Sequence, residues 1–477
     1  MEKGIGKPVL VVDLDGTLLR SDILFETFWS AFGRSWKSPF RAARALLTGK
    51  AALKRTLAQD SKVVVATLPY DTDVIAYVEK WRADGGRTAL VTASDEHIAK
   101  DIAAHLGIFD EVFGSDGVRN LKGPNKAAFL TDHFPDTGYA YMGDAKADMP
   151  VWAVASHAIT VNVPDALRKQ VDTLAPVAEH LSTAPASFRP HLKALRPHQW
   201  LKNILVFVPM LAAHRYDAAT FLQSLVAFAA FSMIASAGYV FNDLLDLAAD
   251  RAHPRKCRRP FASGDLPISH GTWLGAGLLA GGFALAASLN LLLILTLLVY
   301  FGVTMAYSLD LKRRMVVDIC TLAGLYTMRL AAGAVATGLV LSVWLMAFSI
   351  FFFLSLAAVK RQAELIDTDN RGKLSASGRG YLVDDLPIMS QVAISAGFVS
   401  VLVMALYVNS PSVVSLYHYP EALWAVCLIL LYWITRIVMI THRGWMDDDP
   451  VVFAAKDRIS QVCGVVIVIC AMGGALL

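Results

Sequence analysis

Cysteine is scarce: the five in the chain, Cys257, Cys320, Cys427, Cys463 and Cys470, all lie in its second half, and none has metal-type spacing. They read as small apolar side chains, not as disulfides or a thiolate metal site. Net charge is low as well. The formal value is +4 over 477 residues, which argues for no nucleic-acid partner. The opening MEKGIGKPVLVVDLDG has too short an apolar run for a signal peptide and leads directly into what reads as a strand, so the N-terminal part is expected to stay in the cytoplasm. Up to about residue 200 long uncharged stretches are also lacking, and charged and apolar residues mix as they do in a soluble domain.

Beyond that point the pattern changes. Ala218 to Asn242 and Gly271 to Leu309 carry no charge. A hydrocarbon core takes roughly 20 apolar residues per helix, so the first stretch can span once and the second, broken near Ser288 and Asn290, twice. The chain thus reads as an α/β domain over residues 1–182, a Ser-, Pro- and Ala-rich linker over 183–197 (within LSTAPASFRPHLKA), and an all-α polytopic membrane domain over 198–477.

In the first domain the apolar runs Val9 to Val12, Thr88 to Val91, Tyr139 to Met142 and Ile159 to Val163 alternate with helical patterns, as in a parallel sheet covered on both faces. Sites in open sheets of this kind lie at the carboxyl ends of strands. Polar residues stand there: Asp13-Leu14-Asp15-Gly16-Thr17 after the first run, Thr92 after the second, and Gly143-Asp144 with Asp148 after the third. A carboxylate can attack an anionic phosphate only when a divalent cation and a lysine neutralise the charge building on its oxygens. Lys126 and Lys122 are the candidate lysines, and the choice between them is open. Asp95, Glu96 and Asp116 read as solvated loop acids.

The order DLDGT, strand ending in Thr92, NLKGPNKAAFL, GDAKAD resembles the haloacid dehalogenase (HAD) superfamily over about residues 7 to 180. The resemblance implies a Rossmann-like fold with a small helical cap over about 22–82. It implies that Asp13 attacks a phosphoryl group, that Asp15 protonates the leaving oxygen, and that Thr92 and Lys126 hold phosphoryl oxygens. It further implies a magnesium site of Asp13, Asp15, Asp144 and Asp148.

Counting apolar runs through the second domain gives about nine spans, near 202–214, 218–242, 270–289, 291–308, 316–337, 341–359, 386–409, 420–440 and 456–476. Lys and Arg concentrate at Arg196 to Lys202, Arg251 to Arg259, Lys312 to Arg314 and Lys360 to Arg379, which the positive-inside rule assigns to the cytoplasm of a plasma membrane. Asp243, Asp246 and Asp250 are three and four residues apart, within roughly 60° on one helical face, with Asn242 at its edge. Three carboxylates so close need a cation between them. An oxygen-only set suits magnesium, which completes its shell with water and substrate phosphates. A second polar cluster, AYSLDLKRRMVVD, supplies Tyr307, Lys312 and Asp318.

The pair NDxxDxxxD and YSxxxKxxxxxD resembles the UbiA superfamily of intramembrane prenyltransferases. RPHQWLKN with Lys202 and Asn203, DRAHPRKCRRP, GLYTMRLAAGA around Arg329, LAAVKRQAEL around Lys360, GRGY (Gly378 to Tyr381) and MDDDPVVFAAKDRIS are similar to its decaprenyl-phosphate phosphoribosyltransferase branch. That resemblance implies transfer of phosphoribose from phosphoribosyl pyrophosphate to a polyprenyl phosphate. It implies magnesium on Asp243, Asp246 and Asp250 with Asp318 nearby, and phosphate groups on Lys256, Arg259 and Lys202. Lys312, Arg329 and Lys360 are candidates for drawing in the acceptor. Whether Arg255 or Arg258 contributes beside Cys257 is open, as is a substrate role against plain helix anchoring for Lys360 and Arg361. The acids Asp447 to Asp449 fit a solvated loop equally well.

The expectation that joins the halves is an enzyme of two activities: the membrane domain makes polyprenyl-phosphoryl ribose 5-phosphate and the HAD domain removes the 5-phosphate. The alternative is a UbiA-type transferase prenylating an aromatic or other acceptor, with a regulatory or inactive HAD domain. The sequence leaves association into a homo-oligomer open.

Overall fold

The computed structural model describes residues 7–116, 120–135, 138–183, 187–372, 374, 379–446 and 449–476. The chain forms two compact units, Met1–Leu195 with Val240–Leu274, and Arg196–Tyr239 with Gly275–Leu477.

The first unit is built on six parallel strands, β1 (Val9–Val12), β2 (Thr88–Asp95), β3 (Glu111–Ser115), β4 (Tyr139–Gly143), β5 (His157–Val161) and β6 (Ala178–Leu181), in the order β3-β2-β1-β4-β5-β6. Runs such as VLVV form strands buried on both faces because each face packs its own core. Leu10 and Val12 pack into one core and Val9 and Val11 into the other, the two-residue period of a strand. Four of the strands overlap the apolar runs expected, β5 lying two residues earlier than its run; β3 and β6 are additional, and both are less buried and more polar. Strand order reverses at β1, whose end lies beside that of β4 through the Val12–Met142 pairing. The crevice of such a sheet opens at that reversal.

Three helices form the cap: α1 (Ile23–Arg34), α2 (Ser38–Thr48) and α3 (Lys50–Asp60). The Asp22 carboxylate accepts from Leu24 N–H at 2.8 Å and starts α1. Asp95, expected as a solvated acid, is instead buried and caps the helix Glu96–Leu106 by accepting from His97 N–H at 3.0 Å. The remainder of the unit holds the end of the helix Ala218–Leu245, a short helix Leu247–Arg251, a tight turn at Lys256–Arg258 and the start of the helix Ile268–Ala287.

The second unit is helical. Among the described residues, seven helices of the chain are long and apolar enough to cross a membrane: Ala218–Leu245, Leu291–Leu309, Val317–Thr337, Val343–Asn370, Val383–Val408, Ala422–His442 and Arg458–Ala475. Leu291, Leu292, Leu295, Leu298 and Val299 stand exposed along one of them, a surface that hydrocarbon solvates and water does not. Two expected spans are not among these seven. Residues 202–214 form a 3-10 segment, Pro197–Phe207, and a five-residue helix, Val208–Ala212, because prolines at 197 and 209 interrupt the ladder. A Cβ on Gly333 would lie 2.0 Å from the Val206 carbonyl oxygen, so the helix Val317–Thr337 admits this segment only at a glycine. Ile268–Ala287 is a 20-residue helix without Asp, Glu, Lys or Arg.

Candidate functional site

At the ends of β1 and β4, ligand oxygens of Asp13, Asp144 and Asp148 all lie within 4.8 Å of one another. Local bonds fix each acid. Leu14 N–H and the buried Lys126 ammonium donate to Asp13 Oδ1 at 2.8 and 2.9 Å. Lys126 also donates to the Tyr141 hydroxyl at 3.0 Å, and that hydroxyl donates to Asp148 Oδ1 at 2.9 Å. Asp148 Oδ2 further accepts from Ala145 N–H at 3.1 Å. Of the two candidate lysines, Lys126 is therefore the one against Asp13, while Lys122 is exposed. Gly16 has φ +76, and a Cβ there would meet Asp144 Oδ2 at 2.1 Å; the loop passes the acid only because that atom is missing. Thr92 is buried, its hydroxyl accepting from Ser94 N–H at 3.0 Å.

The expected metal set needs one correction. The Asp15 carboxylate stands outside the trio and accepts from Ile23 N–H at 2.7 Å and from Ser94 Oγ at 2.6 Å. Burial and then the charge of Asp22 push it up to about 7, and Asp13 adds to the rise. A carboxylic acid that keeps its proton near neutrality is suited to protonating a leaving oxygen. Burial, followed by the charges of Asp13 and Asp148, pushes Asp144 up to about 8, and Asp148 is raised for similar reasons. The carboxylates of Asp13, Asp144 and Asp148 form a hard, all-oxygen donor set that a divalent cation fits. Sequence reasoning missed Lys54 of α3, which donates to the Ala93 carbonyl at 2.5 Å and to Asn120 Oδ1 at 3.1 Å. Burial and then Lys122 lower it, while Asp15, Asp22 and Asp13 pull it back up. A single lysine in KAALKRTLAQD carries no signal that separates it from a solvated helix residue.

The second acid cluster lies in the same unit. Asp243 and Asp250 are buried, and Asp246 and Asn242 are half-buried. The helix breaks at Asp246, yet Asp246 N–H still reaches the Asn242 carbonyl and Asp250 N–H the Asp246 carbonyl, at 3.0 and 2.8 Å, so the helical spacing persists. Arg259, expected to bind phosphate, instead bridges the acids, with Nη1 donating to Asp243 Oδ1 at 3.0 Å and to Asp250 Oδ2 at 2.5 Å. Burial pushes Asp250 up to about 6, helped by Asp243 and opposed by Arg259. The cation that these oxygens hold is a guanidinium, and their donor type suits magnesium equally. Arg255, Lys256 and Arg258 are exposed.

Within the second unit, Asp318 is fully buried and engaged by three groups: Tyr307 Oη at 2.7 Å, Arg379 Nη1 at 3.2 Å and Arg361 Nη2 at 2.7 Å. Its expected place beside magnesium is taken by these partners, and Arg361 is a buried ion-pair partner, not a surface anchor. Lys312 is buried. Lys202 and Lys360 share one carboxylate, Asp449, the latter contact at 3.4 Å. Burial would raise Asp449, yet Lys360 and Lys202 hold it well below the usual carboxylate range, so it is no solvated loop acid. Asp447, Asp448 and Gly378 lie outside the described residues. Arg329, expected to draw in the acceptor, is buried and donates to Asn203 Oδ1 at 2.9 Å, the Leu325 carbonyl at 2.6 Å and Tyr300 Oη at 3.3 Å. Phe231, Tyr300 and Tyr326 have ring centroids 5.0 to 5.4 Å from its guanidinium carbon. Two lysines on one acid leave that cluster a positive charge in excess of what Asp449 neutralises, the state an incoming anion requires.

Residues 203–456 match the UbiA prenyltransferase family, and residues 10–152 match haloacid dehalogenase-like hydrolase. A Sinorhizobium fredii protein, y4nM, described as uncharacterized, is 38% identical over 467 residues, 96% of this chain and 89% of its own length. Nodulation protein NoeC of Azorhizobium caulinodans is 36% identical over 59% of this chain and 91% of its own. The decaprenyl-phosphate phosphoribosyltransferase of Mycolicibacterium smegmatis is 33% identical over 57% of this chain and 87% of its own.

Proposed function

From the membership of this chain in the UbiA prenyltransferase family, with a haloacid dehalogenase-like hydrolase domain ahead of the membrane helices, we propose an integral membrane enzyme with two consecutive activities. The first transfers phosphoribose from phosphoribosyl pyrophosphate to a polyprenyl phosphate. The second removes the 5-phosphate of the product to leave polyprenyl-phosphoryl ribose. The observation that carries the reading is the fusion itself: a phosphoryl-transfer cluster of Asp13, Asp144, Asp148 and Lys126 shares a chain with a region one-third identical to a decaprenyl-phosphate phosphoribosyltransferase. A prenylated aromatic would offer this cluster no phosphomonoester.

In the transferase step the bond from ribose C1 to pyrophosphate breaks and a bond from C1 to a lipid phosphate oxygen forms. Asp243, Asp246 and Asp250 here, and Asp13, Asp144 and Asp148 in the hydrolase, would hold magnesium, which would supply charge neutralisation at the phosphates. Lys256 takes phosphate oxygens of the donor, Arg259 stays with the acids it bridges, and Lys202 and Lys360 attract the acceptor phosphate. That acceptor is already an anionic nucleophile and needs no strong base. In the hydrolase step an Asp13 oxygen attacks phosphorus, the bond from phosphorus to the C5 oxygen breaks, and Asp15 gives that oxygen its proton. Lys126 and Thr92 hold the phosphoryl oxygens. Water then cleaves the aspartyl-phosphate, returning a proton to Asp15 and releasing inorganic phosphate. In this reading the N-terminal domain faces the cytoplasm of a bacterial plasma membrane, where phosphoribosyl pyrophosphate is available.

The test is direct: purified protein given polyprenyl phosphate, phosphoribosyl pyrophosphate and magnesium releases pyrophosphate and then phosphate. No pyrophosphate release, or release that does not depend on the lipid phosphate, sinks the reading.

A further inference from the structure

The stretch carrying Asp243 and Asp250 is held from both sides by a single helix of the cap. On one side Phe241 stacks on Trp29 of α1, ring centroids 5.5 Å apart, and Trp29 Nε1 donates to Thr272 Oγ1 at 3.0 Å. On the other, Arg251 makes a two-pronged bond to Glu26 of α1, with Nη1 to Oε2 at 3.1 Å and Nη2 to Oε1 at 2.5 Å. The two side chains are only 6% and 4% exposed. Ser21 Oγ fixes Glu26 Oε1 at 2.7 Å, and Arg251 Nε reaches the Ala262 carbonyl at 3.3 Å, so both ends of the pair are braced. Asp243 thus lies two residues from one anchor and Asp250 one residue from the other. At its own start α1 is bonded to the hydrolase cluster, since its first residue, Ile23, donates N–H to Asp15 Oδ1 at 2.7 Å.

A buried pair of opposite charges contributes little net stability, because removing both from water costs about as much as their attraction returns; its clearest effect is to specify one arrangement. Here the arrangement specified is the backbone at Asp250, and with it the separation of Asp243 and Asp250 that lets one guanidinium, or one metal ion, meet both. We propose that Glu26 and Arg251 are positioning residues for diphosphate binding, so that the cap of the hydrolase sets the donor affinity of the transferase. The proposal rests on the functional reading above only in so far as Asp243 and Asp250 take a magnesium-bound diphosphate.

The test uses the full chain in detergent and magnesium pyrophosphate as the probe, titrated calorimetrically, with steady-state turnover of phosphoribosyl pyrophosphate alongside. Glu26→Gln and Arg251→Gln should each weaken pyrophosphate binding about tenfold and raise KM for the donor similarly, with kcat within about twofold, as partners one step removed from metal ligands do. The double variant should be no weaker than the weaker single one, because the two act as a unit. Hydrolysis of p-nitrophenyl phosphate by Glu26→Gln should stay within about twofold of the parent, which also reports folding. Trp29→Phe, which keeps the ring on Phe241 and loses the bond to Thr272, should weaken binding about twofold to threefold and serves where the charge variants do not fold. Single variants that melt earlier yet bind pyrophosphate as the parent does would overturn the proposal, as would losses that multiply in the double variant. If the parent binds magnesium pyrophosphate but does not turn over phosphoribosyl pyrophosphate, the functional reading fails while the pyrophosphate titration still decides this one.

Discussion

The two acid clusters of the first unit balance their charge by different means. At Asp13, Asp144 and Asp148, Lys126 is a point charge on the edge, touching one acid of three. At Asp243 and Asp250 the arginine reaches both acids through one nitrogen. The first cluster keeps an excess of negative charge in a buried place, and Asp144 is pushed up to about 8 in consequence. The second is partly neutralised from within, and Asp250 rises only to about 6. The difference is one of reach, one acid for Lys126 against two for Arg259.

The largest effects should come from separating the clusters chemically. Asp13→Asn should lower phosphate release at least about a thousandfold while pyrophosphate release continues, whereas Asp243→Asn should remove both by a similar factor. The order matters, because in the proposed sequence the hydrolase consumes what the transferase makes. Phosphate release unchanged in Asp13→Asn would break the comparison at once.

Next in size is the lysine. Lys126→Met should cost the hydrolase about a hundredfold, as losing a preorganised donor to a developing oxyanion does. It should leave pyrophosphate release alone. Gly16→Ala should destabilise the first unit by roughly 1–3 kcal/mol through its left-handed backbone. Its Cβ would also displace Asp144, so hydrolase activity should fall further than the melting temperature suggests.

The smallest effect is on stability against pH, and its sign follows from the raised acids. Asp15 and Asp144 bind protons more tightly when folded than at the ordinary carboxylate value of 3.8, reaching about 7 and about 8. Their contribution is therefore full below about pH 4 and is lost as pH rises through 7 to 8. In chelator the first unit should melt progressively earlier from about pH 4 up to about pH 8, and magnesium should reverse the trend. A flat profile in chelator would mean that the acids are not forced together as described.

Much of the hydrolase cluster was legible in the sequence because polar residues at the ends of apolar runs are a local signal. DLDGT and GDAKAD stand at the ends of β1 and β4 and Thr92 in the last half of β2, and a parallel sheet brings strand ends together whatever lies between. The spacing of Asp243, Asp246 and Asp250 was legible too, as a repeat on one helical face over about two turns. What was not legible is pairing over long separations. Arg251 meets Glu26 across 225 positions, and neither residue stands in a periodic pattern that names the other. Arg259 was assigned to an external phosphate because sequence shows its charge and not which carboxylates lie within reach. Residues 202–214 were counted as a span because summed apolarity does not register the prolines at 197 and 209. Asp449 sat in an acidic run that looked solvated, and only the fold brings Lys202 and Lys360 to it.

The most direct test of the central claim is mass spectrometry of the lipid made by Asp13→Asn from polyprenyl phosphate and phosphoribosyl pyrophosphate, compared with that made by the parent protein. The account predicts that the variant accumulates a lipid phosphate carrying ribose with its 5-phosphate, while the parent yields the same lipid without that phosphate. An identical lipid from both proteins, or a prenylated small molecule with no ribosylated lipid, would contradict it.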